Sequence, residues 1–125
     1  MIQTKRIYEP IQESDGKRIL VDRLWPRGVS KEKAAIHEWM KEVAPSHELR
    51  KWFHEQANFE EFKERYRKEL LEDESKILLV KQLLKWAEEG VVTLLFSAKA
   101  EEKNQAVVLA EIIHEMKNAG GGSSK

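Results

Sequence analysis

The chain has 125 residues, enough for one domain with a hydrophobic core and too few for two ordinary ones. Apolar residues make up 41% and charged residues 35%, against about 25% charged in an average domain, so a globular body carries a densely charged surface. The 22 basic and 22 acidic side chains cancel, which argues against a whole-surface nucleic-acid or membrane binder, and the absence of Cys excludes disulfides, thiolate metal sites and a cysteine nucleophile.

Met1–Glu9 alternates in side-chain character and predicts a strand; Pro10–Gly16 ends it with turn chemistry at Ser14-Asp15-Gly16. Arg18–Leu24 holds the β-branched run Ile19-Leu20-Val21 and predicts a second, buried strand, which Pro26 terminates. Behind Ser30 as N-cap, Ile36, Trp39, Met40 and Val43 recur at i, i+3, i+4 and i+7 and predict a helix. Pro45 stops it, and Ser46 caps a second helix with Leu49, Trp52 and Phe53 on its apolar face. Asn58 starts a third, along Phe59, Phe62, Tyr66 and Leu70. Ser75–Glu89 predicts a fourth, with Gly90 placed for a left-handed C-terminal residue. Val91–Phe96 is apolar on both faces and predicts a central strand. After the loop Ser97–Ala100 comes a last helix, Glu101–Asn118, and then a flexible Gly/Ser tail, residues 119–125.

The expected fold is α/β, a small, mainly parallel sheet of three or more strands flanked by helices, with a helical insert between the second strand and the last. Residues 1–118 form its single domain. No apolar run reaches the roughly 20 residues of a membrane span, and the N-terminus has no signal-peptide core, so a cytoplasmic protein is expected. The four His fall in no metal-ligand spacing, and neither a metal nor a cofactor is indicated.

In open α/β sheets, ligands sit beyond the carboxyl ends of the strands. Those ends are Asp22–Gly28 and Ser97–Lys99. The first delivers Asp22, Arg23, Trp25 and Arg27 within six residues: a carboxylate, two guanidinium forks and a stacking indole. Lys17 to Lys33 holds six basic and two acidic residues, a local +4. Ser97 and Lys99 lie on the turn into the last helix, whose free N–H groups attract anions. Arg50 and His54 share a face of the second predicted helix. Against this stands a structural reading, in which Asp22 and an Arg pin a strand end and Trp25 is core.

The stretches from Lys5 to Gly28, Trp39 to Ser46, Glu48 to His54 and Thr93 to Lys99, above all Val-Asp-Arg-Leu-Trp-Pro-Arg-Gly, resemble the YeaO-like family of small bacterial and archaeal proteins, within a wider group of domains of unknown function. The resemblance implies a small α/β domain with recurrent polar positions at Asp22, Arg23, Trp25, Arg27, Arg50, Ser97 and Lys99, and at Asn104 in the last helix. Distant relatives in the wider group carry a Cys-His-Arg set in that helix; this chain has Asn104-Gln105-Ala106 there.

The expected function is binding of, or action on, a small anion bearing phosphate or carboxylate, nucleotides included. Arg23, Arg27 and Lys99 clamp its charge, Trp25 walls the pocket, and Arg50 and Asn104 add contacts; the candidate catalytic residues are Asp22, as general base or orienting acceptor, and Ser97, which supplies a hydroxyl. The alternatives are a nucleic-acid-binding module using the Lys17–Lys33 patch and an interaction domain without chemistry.

Overall fold

The computed structural model describes the backbone of residues 1–123 and the side chains of residues 1–119. Four strands form one fully parallel sheet: β1 (Ile2–Arg6), β2 (Lys17–Leu20), β3 (Glu38–Trp39) and β4 (Val92–Phe96), in the order β1-β4-β2-β3. The apolar β4 sits between β1 and β2, with Ile2 opposite Val92 and Lys17 opposite Val92 on its two sides, and all five of its residues are buried. All the carboxyl ends therefore open on one edge.

Four helices follow the strands: α1 (His47–Gln56), α2 (Phe59–Glu72), α3 (Glu74–Glu89) and α4 (Gln105–Ser123). Short polar side chains fix where they start. Ser46, Asn58 and Asp73 accept hydrogen bonds from Leu49, Glu61 and Ser75 backbone N–H groups, satisfying donors that a helix leaves orphaned. The α4 helix begins four residues after the predicted Glu101, because the Asn104 side chain caps it by accepting from Val107 N–H at 3.1 Å. The expected tail begins inside this helix, and its last two residues lie outside the described ones.

The two faces of the sheet are covered differently. Ile19, Val21, Val92, Leu94 and Phe96 pack against apolar side chains from all four helices. On the other face Ile7, Leu20 and Leu95 meet Trp25, Val29, Ile36 and Trp39, which come from loops and β3 rather than from helices. Among the described residues no helix is long and apolar enough to cross a membrane, and no group of three His, Asp or Glu side chains is placed to hold a metal.

The helix expected behind Ser30 does not form. One turn starts, with the Lys33 and Ala34 N–H groups donating to Ser30 O, and Ala35 at φ 52° ends it. The His37 and Met40 N–H groups then donate to Arg18 and Leu20 carbonyls, which makes β3. The helical spacing was coincidental: Ile36 and Trp39 pack on one face of the sheet, Met40 and Val43 on the other. β2 ends at Leu20, short of the predicted Leu24. Gly90 is extended (φ 178°); the left-handed helix end is Ala57, at φ 51° after α1.

Candidate functional site

The last ladder contact of β2 is Val21 N–H to Leu95 O, so Asp22 emerges where the strand leaves the sheet. Its carboxylate is buried, 7% exposed. Oδ2 accepts from the Ser97 backbone N–H at 3.1 Å, and Oδ1 accepts from Gln105 Nε2 at 2.6 Å. One side chain thus ties the ends of β2 and β4 to the first residue of α4. Burial pushes the Asp22 carboxyl above its ordinary range; hydrogen bonds from Ser97 and Gln105 and the positive charge of Arg50 offset this in part.

Two adjoining cavities lie at this edge. The smaller, about 260 Å³, is lined by Asp22, Arg23, Pro45, Ser97 and others. The larger, about 770 Å³, lies between α1 and the β4–α4 loop. They meet at Arg50, Ala98 and Gln105, which line both. The larger cavity has a basic part, with His47, Arg50, Lys51 and His54 from α1 facing Lys99 and Lys103, and an apolar part containing Phe53, Ala57, Phe59, Ala98 and Ala100. No carboxylate lines it. Among the described residues the Arg50, Lys51, Lys99 and Lys103 side chains enter no ion pair and no hydrogen bond, whereas Lys5, Arg18, Lys63, Arg65 and Arg67 are each paired with a carboxylate.

The residues singled out from the sequence separate into three groups. Asp22, Arg23, Arg50 and Ser97 line the smaller cavity, and Arg50, Lys99 and Asn104 the larger. Within the cavities, Arg23 is turned onto the chain, donating to Ala44 O and Pro45 O at 3.2 Å, and Asn104 spends its amide on Ala100 O, Glu101 O and the α4 cap. Trp25 and Arg27 lie elsewhere. The Trp25 indole N–H donates to Val29 O at 2.7 Å and its ring meets Trp39 edge-on at 5.4 Å, in the loop-covered face. Arg27 is exposed, and its carbonyl accepts from the Tyr8 hydroxyl. The basic residues of Lys17–Lys33 form no single stripe: Lys17 lies over Trp86, Arg18 is buried against Asp15, and Lys31 lies over Trp25.

Sequence reasoning missed Gln105, His47, Lys51 and Lys103. A signal for two of them was present. His47, Arg50, Lys51 and His54 recur at i, i+3, i+4 and i+7, so α1 carries a basic stripe on one face as regular as an apolar one. Arg6 was missed as well. Its guanidinium donates to Ser97 O and Ala98 O, at 3.0 and 2.9 Å, and holds the loop that carries Lys99.

Comparison with known proteins shows the family. A family model described as the inactive DUF488-N3 subclade matches residues 1–124. The chain belongs to that family. The uncharacterized protein YeaO of Escherichia coli is 47% identical over 116 residues, covering 92% of this chain and 98% of its own. An uncharacterized protein of Mycobacterium bovis is 38% identical over 114 residues, covering 90% and 93%. The resemblance to YeaO-like proteins therefore extends over nearly the whole chain. No solved structure matches.

Proposed function

We propose that this DUF488-N3 family member binds a small anion bearing phosphate or carboxylate in the joined cavities at the carboxyl edge of the sheet, and holds it without turning it over. The observation that carries the reading is the set of four unpaired cations, Arg50, Lys51, Lys99 and Lys103, around a cavity that no carboxylate lines, in a chain whose total charge is zero. Of the four, Arg50 alone has a carboxylate near it at this edge, Asp22 in the adjoining chamber; like charges gathered with so little counter-charge repel one another, and an anion between them relieves that repulsion while gaining charge-assisted hydrogen bonds.

Binding rather than catalysis is favoured by the groups beside the cations. Both oxygens of Asp22 are already engaged, by Ser97 and Gln105, so it serves as an orienting acceptor more readily than as a base. At the place where distant relatives carry Cys-His-Arg, this chain presents an amide cap, Asn104, and Gln105 bound to Asp22. The description of the matching family as inactive points the same way. In this reading Arg50 and Lys99 are the principal charge contacts, Arg23 and Ser97 shape the smaller chamber, and Trp25 and Arg27 take no part.

Isothermal titration of the full chain with inorganic phosphate and pyrophosphate tests it. Saturable binding that weakens with added salt, and that falls about tenfold or more in Arg50→Ala, is expected, since a hydrogen bond to a charged group is worth about 1.5–3 kcal/mol. Absence of binding by both anions, or equal affinity in Arg50→Ala, refutes it.

A further inference from the structure

The larger cavity is not uniformly cationic, and its second half narrows the class of anion. Phe53 and Phe59 line it together with Ala57, Ala98 and Ala100. Both rings are half-buried; Lys63 Nζ lies 5.6 Å from the Phe59 centroid, and Lys63 is not among the residues that line the cavity. They are also rigidly backed. Phe53 stacks on Phe62 with centroids 4.3 Å apart, Phe62 stacks on the fully buried Tyr66 at 5.6 Å, and Phe59 lies 6.1 Å from both Phe53 and Phe62. The Tyr66 hydroxyl donates to Val43 O at 2.6 Å and anchors the inner end of the series. A simple phosphate needs none of this surface.

Arg50 and Lys51 sit within one helical turn of Phe53, so the stacking surface and the cations are fixed to one another by α1 itself. A volume of about 770 Å³ falls within the roughly 300–1,000 Å³ of small-molecule pockets. Gln105, at the junction of the two cavities, gives its amide N–H to Asp22 and leaves its Oε1 without a donor among the described residues. That oxygen can accept from a ligand hydroxyl. A flat ring for Phe53 and Phe59, an anionic group for Arg50, Lys51, Lys99 and Lys103, and a hydroxyl-bearing piece between them describe one ligand class. We infer that the ligand is a nucleoside monophosphate, its base stacked on the Phe53–Phe59 wall and its phosphate held by the basic stripe of α1 and the β4–α4 loop. This inference rests on the anion-binding reading above and specifies it.

Titration calorimetry with AMP, ribose 5-phosphate, adenosine and inorganic phosphate separates the two. Base stacking on an aromatic side chain predicts AMP binding about tenfold or more tighter than ribose 5-phosphate. Phe59→Ala should bring AMP to the level of ribose 5-phosphate while leaving ribose 5-phosphate unchanged. Phe59→Leu keeps the apolar bulk and removes only the ring, so it gives the same answer if the alanine variant does not fold. Equal affinity for AMP and ribose 5-phosphate, or an unchanged preference in the Phe59 variants, overturns the nucleotide inference and leaves the anion reading standing. Binding of none of the phosphates overturns both. A short single-stranded oligonucleotide binding more than about a hundredfold tighter than AMP at matched salt transfers the surface to nucleic acid and also overturns the inference.

Discussion

Two buried aspartates sit at opposite ends of β2, and their surroundings differ in kind. Asp15, 1% exposed, precedes the strand and meets two cations: Arg18 Nη1 at 2.6 Å and Lys5 Nζ at 3.0 Å. Burial raises its pKa, but hydrogen bonds from Gln12, Lys5 and Arg18 together outweigh burial and bring it below the ordinary carboxylate value. Asp22 follows the strand, is buried almost as well, and is held by two neutral amides with Arg50 only nearby. There burial wins and the carboxyl is pushed up. The rest of the Arg18 guanidinium is consumed by Ala34 O and Ala35 O, so the Asp15 end is a closed ionic knot. The Asp22 end opens onto cavities with unpaired cations. At the Asp15 end the buried charge has its counter-charges in contact; at the Asp22 end the nearby cations stay unpaired around an adjoining cavity.

Breaking each end should therefore have different consequences. The largest loss is expected from Asp15→Ala, which leaves Arg18 buried without its partner: about 3–5 kcal/mol in urea unfolding, with any remaining folded protein still binding phosphate. Asp22→Ala should cost less, about 1–3 kcal/mol, because what it strands is two neutral donors, the Ser97 N–H and the Gln105 amide, rather than a buried charge.

The pH dependence sharpens the contrast, because the two shifts have opposite signs. The folded state raises the Asp22 pKa above 3.8, so ionisation of Asp22 lowers stability at neutral pH, and that loss is recovered as pH falls through the raised value toward 3.8. The stability of the wild type relative to Asp22→Asn should rise between pH 7 and pH 4. Asp15 has its pKa lowered from 3.8, so it stabilises the fold above 3.8 and loses that contribution as pH falls below 3.8 through the lowered folded value. Wild type relative to Asp15→Asn should hold steady down to about pH 4 and decline below it. Denaturation curves across this range check both, and parallel profiles for the two pairs would erase the distinction.

The smallest effect is expected at Arg27. It is exposed and lines neither cavity, so Arg27→Ala should change stability by less than about 0.5 kcal/mol and leave phosphate titration unaltered. A loss of binding there would draw the Trp25–Gly28 loop back into the site.

Much of the fold is legible in the chain because local chemistry and tertiary packing agree. Ser46 and Asn58 cap the helices they were expected to cap, and the two-sided apolar run of β4 could satisfy its surroundings only in the middle of the sheet. Residues 30–43 misled because an apolar spacing of i, i+3, i+4 and i+7 does not say whether those side chains go to one surface or two. Here they are divided between both faces of the sheet, and Arg18 and Leu20 carbonyls captured the backbone. The candidate site was legible only in part. Strand-end logic located Asp22, Ser97 and Lys99, since a parallel sheet must expose its carboxyl ends together. It had no means of telling Arg50 from Arg27.

By itself, then, the order of residues determined the parallel α/β class, the helix starts at Ser46 and Asn58 and the edge of the sheet where charge gathers, because strand period, capping and crossover handedness are local or nearly local constraints. Only the tertiary structure decided which cations are free and which are spent, that Trp25 belongs to the loop-covered face, and that the basic stripe of α1 confronts Lys99 and Lys103 across a cavity. Those outcomes depend on where side chains meet partners remote in the chain, and a guanidinium reads the same in sequence whether it ends on a backbone carbonyl or over an open pocket.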